Sequence, residues 1–187
     1  IGARPQIHEV EVLLEDLLLA QLPLDLAGQG CLLELAPQAE VLAEEHGALL
    51  LNEDQWLSRL YPEQIKSVAD YVRCARQIRG VLGPLVVDVL TAGVGVVLDF
   101  PANTVADRQW LRGLADTAKV PHCLHYLEVD DDTCRVRLHA RNALAEHEFA
   151  ASDAEFDLIT RYFQVPDVGE GLEIVMHRNR QPGQFPR

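Results

Sequence analysis

Three groups of residues have types and spacings that could do chemistry. Asp99 closes the apolar run "VVLDF"; a carboxylate there can sit beside the metal of a metal-nucleotide complex, or simply cap a turn or helix. Asp54, in "LLLNEDQWL", also stands just past an apolar run. A carboxylate in that place could accept the proton of a hydroxyl being phosphorylated, and the plainer alternative is that Asn52 or Asp54 only caps the helix carrying Trp56 and Leu57. The third group is Arg135, Arg137 and Arg141 in "CRVRLHARN". Arg137 and Arg141 share a helix face and could grip a phosphate bidentately, which lysine does less well, while Arg135 lies roughly 200° round the wheel from Arg137. The alternative is pairing with Asp130 to Asp132, Glu146 and Glu148.

Cysteine and histidine suggest less. Cys31, Cys74, Cys123 and Cys134 contain no Cys-x-x-Cys pair and read as reduced thiols. His122 and His125 stand in "PHCLHYLEV", which alternates like a strand. Odd and even strand positions face opposite ways, so no shared metal is expected there.

These groups need elements to hold them. "IHEVEVLLEDLLLAQLPLDLAGQG" carries a rough helical stripe at Val10, Leu13, Leu14, Leu17, Leu18 and Leu22, which predicts an amphipathic helix ended by Pro23 and the glycines. "CLLELA" and "GALLLN" read as buried strands with "PQAEVLAEEH" as a helix between them. A long helix is predicted from about Pro62 to Thr91, with a kink or break at Gly83-Pro84. The strand "VGVVLDF" follows, then a helix over 104–118, the strand "HCLHYLEV" and a helix over 131–142. "ALAEHEFAAS" reads as a loop, Asp153 as the cap of a helix reaching Phe163, and "GLEIVMH" as a last strand.

Strands alternating with helices imply parallel β-α-β units, hence an α/β three-layer sandwich with a mainly parallel sheet. In such sheets ligands bind outside the carboxyl ends of the strands, which singles out residues 52–54, 99–104 and 128–132.

The chain has 187 residues, about one domain, with 48% hydrophobic and 24% charged residues, inside the globular range. A formal charge of −13 opposes broad contact with nucleic acid or anionic lipid. Residues 1–58 hold 11 acidic residues and one basic residue, Arg4. No apolar run approaches the roughly 18 residues of a spanning helix, and the acidic start lacks the basic beginning of a signal peptide, so the expected location is the cytoplasm.

From about Ala39 to His177 the chain resembles a bacterial group of small P-loop kinase-like ATP-binding proteins, an AAA-domain group related in fold to zeta-toxin, chloramphenicol phosphotransferase and gluconate kinase types. The phrases that carry the resemblance are "AEEHGALLLNEDQWLSRLYP", "SVADYVRCARQIRGVLGP", "GVGVVLDFPANTVADRQWLR", "HYLEV", "RLHARNALAEHEF" and "ITRYFQVPDVGEGLEIVMH". It implies a P-loop kinase-like fold, ATP and Mg²⁺ as cofactors, and phosphoryl transfer to the hydroxyl of an unidentified small molecule. It makes Asp54 the acceptor-side carboxylate and Asp99 the acid that holds magnesium through water, with Asn103 beside it. It makes Arg137 and Arg141 residues of a lid helix, within a lid at about 135–152 whose loop holds His147 and Phe149. Phe163, Pro166 and Asp167 correspond to the turn bordering the adenine. Trp56, Tyr61, Tyr71, Arg73 and Arg76 lie where the acceptor would be contacted, or are packing and solvated-face residues. The implied partners are a nucleotide and a small acceptor, with no nucleic acid and no membrane, in a monomer or homodimer.

One departure accompanies the match. The family's first strand leads into a Gly-rich loop ending in Gly-Lys-Ser or Gly-Lys-Thr, whose amides and lysine hold phosphates. Here the corresponding stretch is "CLLELAPQAEVLAEEHG", with Pro37 and Gln38 where Lys and Ser or Thr are expected, and the only lysines are Lys66 and Lys119. Two explanations follow. Either residues 1 to about 38 do not represent the native start of a phosphotransferase, or the chain is a non-catalytic relative that acts as a binding module. The corresponding domain division is an acidic segment over 1–29, non-native or disordered, and a kinase-like domain over 30–187. A third reading, an unrelated acidic protein docking a partner through its Leu-rich helix, runs against the length of the match.

Overall fold

The computed structural model of the chain describes residues 10–14, 38–144 and 151–178. Five strands form one parallel sheet: β1 (Val10–Leu14), β2 (Leu49–Asn52), β3 (Val96–Asp99), β4 (His122–Glu128) and β5 (Ile174–Arg178), in the order β2-β3-β1-β4-β5. Between them run α1 (Gln38–His46), α2 (Glu53–Leu60), α3 (Val68–Thr91), α4 (Val105–Ala118), α5 (Asp131–Leu144) and α6 (Asp153–Tyr162), with a 3₁₀ turn at Val168–Glu170. The expected α/β architecture with a parallel sheet is what forms.

β3 shows why the layers are three. Val96 and Leu98 join the large core with Leu82, Val86 and Leu90 of α3 and Leu111 and Leu114 of α4. Val97 turns to the opposite face and packs with Ala39 and Ala43 of α1. A strand covered on both faces has no use for polar alternation, so it reads as a continuous apolar run.

The beginning of the chain differs from its sequence reading. Val10–Leu14 is not the start of an amphipathic helix but the central strand, paired in parallel with β3 on one side and β4 on the other. A short apolar run fits either period, and here two neighbouring strands satisfy its backbone groups on both edges. Five residues assigned to a separate 1–29 segment therefore lie in the sheet. "CLLELA", read as the first strand, falls outside the described residues, as does the expected continuation of the helix past Leu14.

Other boundaries shift for local reasons. The long helix starts at Val68 instead of Pro62, because Ser67 accepts the amide of Asp70 as its N-cap. It continues through Pro84 without the expected break. Leu82, Gly83 and Val86, around the exposed Pro84, are buried, and that packing outweighs the missing hydrogen bond. The cap of α6 is Ser152, in a capping box with Glu155, and Asp153 is the first helical residue. Cys74, Cys123 and Cys134 are buried and form no disulfide among the described residues. No helix among the described residues is long and apolar enough to cross a membrane.

Candidate functional site at the carboxyl edge of the sheet

The chain leaving β1 leads to β2 on one side of the sheet, and the chain leaving β3 leads to β4 on the other. The crevice between β1 and β3 is thus the topological switch point, where ligands bind in open parallel sheets. The register aligns Asn52 of β2 and Leu13 of β1 with Asp99 of β3, so three strands reach the carboxyl edge level with one another. Asp99 ends its strand in this crevice.

Asn52 does two things at once. Its Oδ1 accepts the amide of Gln55 at 2.8 Å, capping α2, and its Nδ2 donates to Asp99 Oδ2. The capping alternative therefore holds for Asn52, and the cap ties the first turn of α2 to Asp99. Glu53 and Asp54 follow in that turn, where the helix dipole favours anions. Glu53 is fully buried, and Asp54 is partly exposed.

Glu53 is held by Arg79 of α3, whose Nε lies 2.6 Å from Oε1 and whose Nη2 lies 3.3 Å from Oε2. Arg79 Nη1 bonds Asp107 Oδ1 at 2.6 Å, and Nη2 also reaches the carbonyl of Pro101 at 3.2 Å. Burial opposes the charge on Arg79, but Glu53 and Asp107 outweigh it and hold its pKa above the ordinary guanidinium value. The guanidinium also lies 5.3 Å from the centre of the Trp110 ring. Asp107 in turn forms a capping box with Thr104 at the start of α4.

Tyr71 completes the network. Its hydroxyl donates to Asp54 Oδ1 at 2.7 Å and lies 3.2 Å from Glu53 Oε2. Burial, then the charges of Asp54 and Glu53, push the phenol well above its usual pKa, so it stays protonated and remains a donor. Arg73 and Arg76 sit on the exposed side of α3, with Arg73 paired to Asp70 at 3.1 Å. Trp56 is exposed, while Tyr61 packs against the core.

A second joint holds the loop after β3. The amide of Gln164 donates to the carbonyl of Asn103 at 2.8 Å, and Gln164 Oε1 accepts from the amide of Val105 at 3.0 Å. Arg108, fully buried, grips Glu170 with Nε and Nη2 at 2.7 Å each and donates Nη1 to the carbonyls of Ala102 and Gln164. Asn103 is thereby brought beside the segment of Phe163 and Pro166. The Phe163 ring stacks on Tyr126 with centroids 6.2 Å apart and packs on the main core, so part of its surface is already covered. Asn103 Oδ1 is buried and has no hydrogen-bond partner among the described residues.

The arginines on α5 divide as the helical wheel divides them. Arg135 pairs with Asp157 of α6 at 2.5 Å over the Phe156 ring, and His139 with Asp153 at 2.7 Å. Asn142 donates to the carbonyl of Ala151 at 2.8 Å, so one face of α5 zips to α6. Arg137 is on another face and makes no hydrogen bond or ion pair among the described residues. Asp130 caps α5 through Thr133, whose amide and hydroxyl hold its carboxyl below the ordinary value, with a smaller effect from Arg137. Arg141 occupies the next turn of the helix; His147 and Phe149 are outside the described residues.

Glu53, Arg79, Asp107 and the Arg108–Glu170 pair were not singled out in sequence. The available signal was charge within an apolar stripe: Arg108 shares a helix face with buried Leu111 and Ala115, and Arg79 adjoins buried Ala75 and Ile78. His122 and His125 do diverge. His125 meets His177, nitrogen to nitrogen at 2.9 Å, on the α1 side of the sheet, and His122 shares the face of Leu124.

The fold is that of a kinase-like P-loop NTPase. Residues 38–166 match the family model described as AAA domain, well over half of the chain, and the chain belongs to that family. Among solved structures, a candidate kinase from Chloroflexus aurantiacus J-10-fl is similar at a TM-score of 0.62 and 15% identity, over 98% of this chain and 91% of that one. A gluconokinase from Sinorhizobium meliloti 1021 is similar at a TM-score of 0.54 and 13% identity, over 96% of this chain and 86% of that one. No curated protein matches the sequence.

Proposed function

We propose that this is an ATP-dependent phosphotransferase acting on the hydroxyl of a small molecule, with low turnover in the chain as it stands. The observation that carries the reading is the alignment of Asn52 and Asp99 at the carboxyl edge of the sheet, with Asp54 in the first turn of α2 and held by Tyr71. Asp99 suits a magnesium ion bound through water, and the ion would supply charge on the triphosphate. Asp54 would orient the acceptor hydroxyl and take its proton as the phosphoryl group arrives. Phosphoryl transfer passes through a loose transition state and asks mainly for positioning and charge, so an oriented carboxylate is sufficient. Arg137 and Arg141 would balance charge on the moving group, and Asn103, Phe163 and Pro166 would border the nucleotide. The carboxylate side of the site fits Mg-ATP; the phosphate cradle does not, because no Gly-Lys-Ser or Gly-Lys-Thr occurs in residues 15–37, which join β1 to α1. Each missing charge-assisted hydrogen bond costs on the order of 1.5–3 kcal/mol of phosphate binding.

That departure favours a second reading, a non-catalytic relative serving as a binding module. Turnover of Mg-ATP by the full chain separates the two. Phosphotransfer predicts slow hydrolysis that disappears when Asp54 and Asp99 are both replaced by Ala. Activity that survives both replacements contradicts the assigned roles, and no activity in a folded sample favours the binding module.

A further inference from the structure

We propose that Arg79 is a positioning residue: it clamps the two chain segments that leave β2 and β3, and so keeps Asn52 and Asp99 level at the carboxyl edge of the sheet. The inference rests on the phosphotransfer reading and adds to it a residue that works through others. β2 and β3 are neighbours, and Asn52 Nδ2 donates to Asp99 Oδ2 across them. Beyond that bond the two chains part, one entering α2 and the other the loop to α4. Arg79, reaching in from α3, is bonded to both. Its Nε lies 2.6 Å from Oε1 of Glu53, the residue after Asn52, and its Nη2 lies 3.2 Å from the carbonyl of Pro101, which follows Phe100 after Asp99. Nη1 holds Asp107 in the first turn of α4 at 2.6 Å. Phe100 stacks on Trp110 with ring centroids 6.1 Å apart, and the guanidinium of Arg79 lies 5.3 Å from the centre of the same Trp110 ring. The exit of β3 is therefore tied to Arg79 through its backbone and through a ring.

Stability alone is a poor reason for this arrangement. Desolvation offsets most of the attraction in a buried ion pair, and apolar residues of the same volume usually serve as well. What the guanidinium adds is direction, because its rigid planar fork meets several acceptors at fixed angles and a lysine ammonium does not. Glu53 is fully buried and the Arg79 side chain is 17% exposed, so the joint is shielded from competing water. The positions it fixes are those that carry the Asn52–Asp99 bond, and a shift of about 1 Å in a reacting site can cost on the order of a hundredfold in turnover.

The test replaces Arg79 by Lys in the full chain, which keeps the charge and loses the fork, and reads two quantities. The first is hydrogen exchange by NMR of the Asn52 side-chain amide and of the Gln55 amide that Asn52 Oδ1 accepts, compared with the backbone amides of Val97 and Leu98 in β3. Arg79→Lys should speed exchange at Asn52 and Gln55 by about tenfold or more relative to the β3 amides. Exchange that rises no more at Asn52 and Gln55 than in β3 is the mark of a merely stabilising residue and overturns the inference. The second quantity is the ratio of affinities for a non-hydrolysable ATP analogue with and without Mg²⁺. In Arg79→Lys that ratio should fall by about threefold or more towards its value in Asp99→Ala, with metal-free binding unchanged. An unchanged ratio overturns the inference as well. Should Arg79→Lys fail to fold, Asp107→Asn releases only the α4 side of Arg79 and should move both quantities the same way by smaller factors; parent-like values of both there overturn the inference. Failure of the analogue to bind the parent chain overturns the phosphotransfer reading instead, and the exchange rates then decide the clamp by themselves.

Discussion

Arg108 makes a buried ion pair whose two halves come from distant parts of the chain. Its guanidinium has no exposure, and Glu170 meets it bidentately at 2.7 Å. Arg108→Met should destabilise the fold by about 3–5 kcal/mol, because Glu170 keeps its charge and loses its partner; urea unfolding checks this. Replacing both residues by apolar ones should recover much of the loss. His125 gives a pH signature. Burial first, then His177 and His46, lower its pKa from 6.5 to about 4. The unfolded chain takes up the proton before the folded one does, so stability should fall as the pH drops from about 6.5 to about 4, by about 3 kcal/mol at most, and then level off. Unfolding measured across that range should show the slope in the parent and lose it in His125→Leu. At this scale the sequence showed the strand-end carboxylates Asp54 and Asp99, since each follows an apolar run. It did not show Arg79 or Glu53, because an ion pair between two helices has no fixed spacing along the chain.

Helix boundaries were set by single side chains, and the reading erred where two local signals competed. Pro62 is a good first-turn residue, yet Ser67 with Asp70 formed the cap that was used. Val10–Leu14 fits a helical stripe as well as a strand, and only its two pairing partners decided the matter. The strand "VGVVLDF" was legible because burial on both faces leaves an unbroken apolar run; "GALLLN", at the sheet edge with Leu49 exposed, was legible as a short apolar run after a glycine, and "HCLHYLEV" by its alternation. Two predictions belong here. Pro84→Ala should stabilise the protein by about 1–3 kcal/mol, since it restores the hydrogen bond that Pro84 denies a continuous helix. Thr104→Ala should cost about 1 kcal/mol through the lost cap of α4, and Asp107→Ala more, because Asp107 also holds Arg79. Thermal and urea denaturation of the three variants would rank them; Pro84→Ala less stable than the parent would show that α3 needs a local distortion there.

For the whole molecule, the alternation of strands and helices made the parallel three-layer fold legible, and the strand order places Asp99 at the switch point. The order itself was not legible, since the periodicity of a strand says nothing about its neighbours. The central claim is that this edge holds Mg-nucleotide with Asp99 on the metal side, despite the unusual sequence between β1 and α1. Calorimetric titration of the full chain with Mg²⁺ and a non-hydrolysable ATP analogue, beside Asp99→Ala, tests it most directly. The account predicts weak binding to the parent chain that weakens about tenfold or more in Asp99→Ala and without magnesium. Equal affinity in the parent and Asp99→Ala, or no binding at millimolar analogue by a folded sample, would contradict it.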